Sequence, residues 1–99
     1  MALDIIVTYH DKKRDFFSLS ESMHSKIFSD ETFWSTFKNI RKIKDYYKTN
    51  VIYDESESIK FIEELVEINK RISNTGCEIN NIISKLQKEN INSIRVCGD

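Results

Sequence analysis

The chain has 99 residues, enough for one domain that buries a core without metal or disulfide staples, and we expect a single domain over residues 1–99. Its composition is 39% hydrophobic and 31% charged with a formal net charge of −1, which excludes the low hydrophobicity and high net charge of a disordered chain. The near-neutral balance gives no general attraction to nucleic acid or to an anionic membrane.

The first twenty residues predict a β-hairpin. Residues 3–10, LDIIVTYH, alternate with period two and are rich in β-branched side chains, which is typical of a strand with one buried face. DKKRD then interrupts the pattern and FFSLS resumes it, so a second strand is expected after a charged connection without glycine. Near the C-terminus SIRV, residues 93–96, could add a third strand to this sheet.

Two helices are predicted after the hairpin. Ser18 and Glu21 have the spacing of a capping box, which opens a short helix whose apolar residues end at Phe28. Asp30 is placed to cap a second helix over about residues 31–48, where five apolar side chains share one face. These five are Phe33, Phe37, Ile40, Ile43 and Tyr47.

The third predicted helix, near residues 56–73, has the widest apolar face. Asp54 and Glu57 have capping-box spacing at its start. Its apolar side chains cover about half of the helix circumference, so we expect this helix to be the most buried and to lie at the centre of the core. They are Ile59, Phe61, Ile62, Leu65, Val66, Ile68 and Ile72.

A fourth predicted helix follows Gly76, which is typical of a helix stop. Thr75 and Glu78 form another capping-box pair, and Ile79, Ile82, Ile83 and Leu86 repeat with helical spacing. The predicted fold class is α+β and mainly helical, with about four helices. The sheet is expected to be small and antiparallel, built from the N-terminal hairpin with the C-terminal strand as a further candidate.

The segment 54–67 gathers six carboxylates around a single lysine and sums to −5, whereas residues 10–48 sum to +3. Acids at a helix start and i,i+4 ion pairs account for most of this cluster as ordinary helix design. The segregation of charge also predicts an acidic surface for a basic partner. The candidate contact residues are Asp54, Glu55, Glu57, Glu63, Glu64 and Glu67.

Trp34 marks a second candidate interface. On the predicted helix 31–48 it falls outside the apolar face, on the side that carries Lys38 and Arg41, within reach of cation–π contact. Packing at the margin of the core and exposure as an interface anchor are both compatible with this position. The same basic helix is the candidate surface of the alternative function, a small regulatory or scaffold module that binds protein or nucleic acid.

The sequence has no pattern of a catalytic, metal or cofactor site. It lacks a glycine-rich phosphate loop, and its two histidines and two cysteines are not spaced as metal ligands. His24 is expected at the edge of the core, and nothing local supports a nucleophilic pair with Cys77. We therefore predict a protein that is not an enzyme and has no cofactor and no metal.

The cellular location is predicted from the N-terminus and the cysteines. MALDIIVTYH carries an acid at position 4 and no basic stretch, unlike a secretion signal, and no apolar run approaches the ~18 residues of a membrane-spanning helix. A cytoplasmic protein that does not contact a membrane is expected. Cys77 and Cys97 are then expected as free thiols, although a disulfide between them remains open.

Residues 3–28, LDIIVTYHDKKRDFFSLSESMHSKIF, resemble the opening of small bacterial immunity proteins that accompany contact-dependent growth inhibition toxins and related polymorphic toxins. The likeness consists of an extended start, a charged turn and the pattern F-S-L-S-E-x-x-H-x-x-I-F. The resemblance implies tight binding of one cognate toxin C-terminal domain, so that the toxin's active site or its encounter with substrate is blocked. Many such toxins are nucleases, whose basic grooves an acidic surface would suit.

Overall fold

A computed structural model of the chain describes residues 3–72, 77–85 and 90–98. Four strands form one antiparallel sheet in the order β2-β1-β4-β3: β1 Leu3–Tyr9, β2 Arg14–Leu19, β3 Asn50–Tyr53 and β4 Ile91–Cys97. The described residues also form three α-helices: α1 Glu21–Ile27, α2 Glu55–Arg71 and α3 Cys77–Lys85.

One face of the sheet is buried, and the alternation of the strands explains why. In β1 every second side chain is buried and those between are half-buried, as the period-two pattern predicts. β4 lies beside β1 in the middle of the sheet and packs against α2. The buried side chains of α2 lie in the same core: Phe61, Ile62, Leu65 and Ile68.

The predicted hairpin is confirmed, and its turn shows why no glycine is needed. β1 pairs with β2 from Leu3 opposite Leu19 to Thr8 opposite Arg14. The N–H of Lys12 donates to the carbonyl oxygen of Tyr9 at 2.9 Å, which closes a tight turn. Lys12 itself adopts the left-handed conformation, with φ of 71°, that glycine usually supplies in such a loop.

The prediction of a mainly helical fold with about four helices is wrong. The described chain has three α-helices beside a four-stranded sheet, and residues 31–48 do not form a helix. This segment contains three short 3₁₀ turns, at Asp30–Thr32, Trp34–Thr36 and Ile40–Ile43. It leads into β3, a strand that the sequence analysis did not predict, whereas the candidate C-terminal strand is present as β4.

The helix fails because other parts of the fold take the backbone groups that it would need. Phe33 adopts a left-handed conformation, with φ of 53°, and separates the first two 3₁₀ turns. The guanidinium of Arg71 donates to the carbonyl oxygen of Thr32 at 2.8 Å. The carboxylate of Glu64 accepts from the N–H groups of Asn39 and Ile40 at 3.0 and 3.1 Å. A continuous helix would have paired these groups internally.

The start of α1 also differs from the prediction. Its N-cap is Ser20, whose Oγ accepts from the N–H of Met23 at 3.1 Å. Ser18, the predicted cap, lies in β2 instead. The capping box with Glu21 therefore does not form, because strand pairing with β1 continues through Leu19 and the helix begins only at Glu21.

The predicted start of α2 is confirmed. Asp54 is the N-cap: its Oδ1 accepts from the N–H of Glu57 at 2.8 Å, and Oε1 of Glu57 accepts from the N–H of Asp54 at 3.3 Å. Ile59, assigned to the apolar face, is 40% exposed. In α3, Ile79 and Ile82 are buried. Thr75 and Leu86, also assigned to this helix, lie outside the described residues.

Tyr53 gives the fold a specific alkaline sensitivity. Its ring is fully buried and its hydroxyl donates to the carbonyl oxygen of Asn39 at 2.6 Å. Burial, and then the negative charges of Glu64 and Glu57, raise the pKa of Tyr53 well above its ordinary value. The unfolded chain ionises near pH 10 while the folded chain keeps the proton, so this contribution to stability is present below about pH 10 and lost above it.

We expect Tyr53→Phe to weaken the decline of the free energy of unfolding above about pH 10. Urea titrations of both proteins across that range measure the difference. Tyr47→Phe is the matched control: the negative charge of Glu21 also raises the pKa of Tyr47, but this tyrosine is exposed, so its replacement should leave most of the decline in place. An identical decline in wild type and Tyr53→Phe would mean that Tyr53 ionises equally easily in the folded chain.

Candidate functional site

Two of the six candidate acids cap the N-terminus of α2. Asp54 and Glu57 hold each other's backbone N–H groups in the capping box. One oxygen of Glu57 also lies 3.2 Å from Nζ of Lys42, in a pair that is about one third exposed on both sides. These two carboxylates are therefore largely engaged within the chain.

Glu64 is turned toward the protein rather than toward solvent. Its carboxylate accepts three hydrogen bonds, from the N–H groups of Asn39 and Ile40 and from Nδ2 of Asn39 at 2.8 Å. Glu64 was one of the candidate contact residues for a basic partner, a role that requires an exposed side chain. Helical spacing does not reveal a hydrogen-bonding partner 25 residues away in the chain. In the structure, Glu64 holds residues 39 and 40 against α2 instead of facing a partner.

Glu67 forms the local ion pairs that the spacing predicts. Its carboxylate lies 3.6 Å from the guanidinium of Arg71 and 4.0 Å from Nζ of Lys70. Both pairs are exposed enough that each contributes little to stability. They nevertheless place two cations beside the carboxylate that Glu67 would present to a partner.

Three of the candidate acids, Asp54, Glu55 and Glu63, line an open groove on α2. We call it the α2 groove; it is lined by Asp54, Glu55, Ser56, Ile59, Lys60 and Glu63. Oε1 of Glu55 is 3.1 Å from Nε2 of His10, in an exposed pair. The groove thus combines three carboxylates and one lysine with the exposed isoleucine, and its excess of carboxylates suits an arginine or lysine side chain with its apolar stem.

The second candidate interface is rearranged because its helix does not form. Trp34 is half-buried, and its ring meets that of Phe28 edge-on at 5.1 Å. The cation over the Trp34 ring is Lys44, at 4.9 Å, rather than Lys38 or Arg41. Trp34 therefore packs at the margin of the core, which was one of the two alternatives. Lys38 is exposed.

Arg41 and the neighbouring bases line a shallow cleft near this tryptophan. The guanidinium of Arg41 is 3.4 Å from the carbonyl oxygen of Ser35, at the limit of a hydrogen bond. The cleft is lined by Arg41, Lys42, Lys44 and Asp45. Since Lys42 pairs with Glu57 and Lys44 covers Trp34, two of its three bases are already in contact with other side chains.

The remaining reactive side chains have structural surroundings. His24 is buried, with Nε2 2.8 Å from the carbonyl oxygen of Ile43, as expected of a histidine at the core edge. Cys97 is a half-buried free thiol, and the side chain of Cys77 lies outside the description. Among the described residues, no three His, Cys, Asp or Glu side chains converge as a metal site would require. No helix in the described ranges is both long and apolar enough to cross a membrane.

The second face of the sheet is a feature that the sequence analysis missed. Phe16 and Ile52 are 68% and 67% exposed. The strand registers align them with Ile6 and Arg95 in one row across all four strands, in the order Phe16, Ile6, Arg95, Ile52. The signal was present in the alternation of FFSLS, but only the register with β1 decides which of the two phenylalanines points to solvent.

Searches against protein-family models, curated proteins and solved structures found no match for this chain. The described residues form a small α+β fold with a four-stranded antiparallel sheet. The likeness to immunity proteins consequently depends on the residues of the N-terminal third.

Proposed function

We propose that this chain is an immunity protein that binds and neutralises a cognate bacterial toxin domain in the cytoplasm. It acts by binding rather than by catalysis, and its partner is the C-terminal domain of the toxin. The resemblance of residues 3–28 supports this class of function. The observation that carries the proposal is the α2 groove, where exposed Glu55 and Glu63 flank a partly exposed isoleucine.

The groove provides two kinds of attraction. A nuclease domain presents basic side chains where it binds phosphate, and the carboxylates of Glu55 and Glu63 can meet those cations. Coulomb attraction between exposed groups is screened within about 8–10 Å at moderate salt, so these acids act mainly on the association rate. Ile59, between them, adds apolar contact after the encounter.

The regulatory module that binds through a basic helix has less support. Residues 31–48 form 3₁₀ turns and loops, so no helix presents the bases in a row. Lys42 and Lys44 are engaged with Glu57 and Trp34. The α2 groove, with three carboxylates, one lysine and an exposed isoleucine, therefore favours a basic protein partner over nucleic acid.

The first experiment is co-expression of this chain with the C-terminal domain of the secreted protein encoded directly upstream of its gene. We expect the two to purify together and the chain to protect cells from that domain. The double variant Glu55→Gln/Glu63→Gln should then associate about two- to tenfold more slowly at low salt, with a weaker salt dependence and a smaller change in dissociation.

Asp30→Asn/Glu31→Gln is the matched control, because it removes the same charge from another part of the surface. These acids belong to the 3₁₀ turn whose Thr32 is tied to Arg71 at the end of α2, about 25 Å along the helix from Glu55. The control should associate like wild type. Equal slowing of both variants would mean that net charge alone matters. Failure of the upstream domain to bind or to be neutralised would contradict the immunity function.

A further inference from the structure

β2 forms an open edge of the sheet. It pairs with β1 on one side, and no strand of the described residues pairs with it on the other. The opposite edge, β3, is shorter and continues almost directly into α2, against which it packs. An edge strand that is both long and uncovered is a ready template for another strand.

The hairpin geometry shows which backbone groups this edge presents. The N–H of Tyr9 donates to the carbonyl oxygen of Lys13 at 2.9 Å, which identifies a hydrogen-bonded pair next to the turn. Because such pairs alternate along an antiparallel ladder, Asp15 and Phe17 direct their N–H and C=O groups at β1. Residues 14, 16 and 18 direct theirs outward.

The side chain at the middle of this edge is apolar. Phe16 is 68% exposed, and its ring stands on the open face of the sheet while its N–H and C=O face the open edge. Natural edge strands are often protected by charged side chains, a proline, a bulge or a short length. In β2 the charges, Arg14 and Asp15, lie at one end.

We propose that two copies of this chain associate through β2, paired antiparallel about Phe16, to form one continuous sheet. In this register Phe16 lies opposite the partner subunit's Phe16, and Arg14 lies opposite the partner subunit's Ser18. All three outward-facing residues of each copy are then paired, and each pair exchanges two hydrogen bonds. The two phenylalanine rings lie side by side on the open face.

Neighbouring registers are less favourable. A shift that centres the pairing on Asp15 sets two carboxylates directly opposite each other and leaves the backbone of Ser18 unpaired. A shift that centres it on Phe17 leaves the backbone of Arg14 unpaired. Pairing about Phe16 is therefore the register in which the edge is fully used and no like charges face each other within the strands.

Beyond the strand ends this register brings together charges of both signs. Counting on from the pair of Arg14 with Ser18, Lys13 and Lys12 of the turn fall opposite the partner subunit's Leu19 and Ser20, and Asp11 falls opposite the partner subunit's Glu21. Arg14 lies diagonally across from the partner subunit's Phe16, within reach of cation–π contact. The same contacts occur twice, since the two-fold axis repeats them.

Light scattering after size exclusion, at micromolar to millimolar concentrations, tests the proposal. Wild type should approach twice the monomer mass of 11.7 kDa as the concentration rises. Phe16→Lys and Phe16→Glu should each be monomeric, because each variant sets like charges across the axis. Mixing the two should restore a dimer, since residue 16 then faces an opposite charge. Amide exchange at Phe16 should slow with concentration in wild type.

Ile52→Lys is the matched control, because Ile52 lies in the same row of the open face, is 67% exposed and belongs to the other edge. It should remain dimeric. A wild type that stays monomeric throughout, a dimer that survives Phe16→Lys, or a mixture that stays monomeric would each overturn the proposal. A mass that grows past the dimer would indicate pairing of β2 with β3 of the next copy instead.

Discussion

Leu65→Ala is expected to lower the free energy of unfolding by about 2–5 kcal/mol, the range for a large-to-small change in a packed core. Leu65 is 3% exposed and lies in the middle of α2, within the same core as the buried side chains of β1 and β4. The loss combines the transfer free energy of the deleted carbons with a cavity that the neighbouring strands and helix cannot fully close.

Urea titration measures this loss, and Ile59→Ala is the matched control on the same helix. It also removes three carbons, but Ile59 is 40% exposed and borders the α2 groove. We expect it to cost less than about 1 kcal/mol, because little buried area is lost and alanine favours the helix. Equal losses for both variants would mean that the apolar face of α2 is rotated from its assigned position.

The parts of this fold that could be predicted from sequence are those that local periodicity determines. β1 alternates without interruption, and the start of α2 has a capping box whose two residues satisfy each other. In both cases the groups that stabilise the element lie within a few residues of it. The burial of Leu65 follows from the same local pattern.

Residues 31–48 could not be predicted in this way, because their conformation depends on α2. Their apolar residues have helical spacing, yet Glu64 and Arg71 take up the backbone groups that a helix would have used. Phe33 occupies a left-handed conformation that sequence patterns reserve for glycine or asparagine. β3 likewise forms only because β4, more than forty positions later in the sequence, supplies its ladder.

In the candidate site, too, the local pattern was predictable and the long-range contacts were not. Charge counting identified the acidic segment, but not which acids are committed to the fold, since that depends on partners such as Lys42 and Asn39. Only the three-dimensional structure separates Glu63, which lines the groove, from the adjacent Glu64, which does not. The exposed Phe16 was equally indistinguishable from Phe17 until the register with β1 was known.

Glu64→Ala is therefore expected to destabilise the protein although the residue lies in an acidic, charge-rich stretch of helix. Its carboxylate accepts from the backbone N–H groups of Asn39 and Ile40 and from the side-chain amide of Asn39. These two residues are buried, with 4% and 0% of their surface exposed. Without the acceptor these donors are left in a largely dry site. We expect the free energy of unfolding to fall by about 2–3 kcal/mol, as is usual when charge-assisted hydrogen bonds to buried donors are lost.

Glu63→Ala is the matched control one residue away, with the same change of charge and of helix propensity. Its side chain lies in the open groove, so the cost should stay below about 0.5 kcal/mol. Amide exchange locates the effect: the N–H groups of Asn39 and Ile40 should exchange faster in Glu64→Ala and unchanged in Glu63→Ala. If the two variants unfold at the same urea concentration, the carboxylate of Glu64 is not what holds residues 39 and 40 against α2. Their backbone groups would then need acceptors elsewhere in the fold.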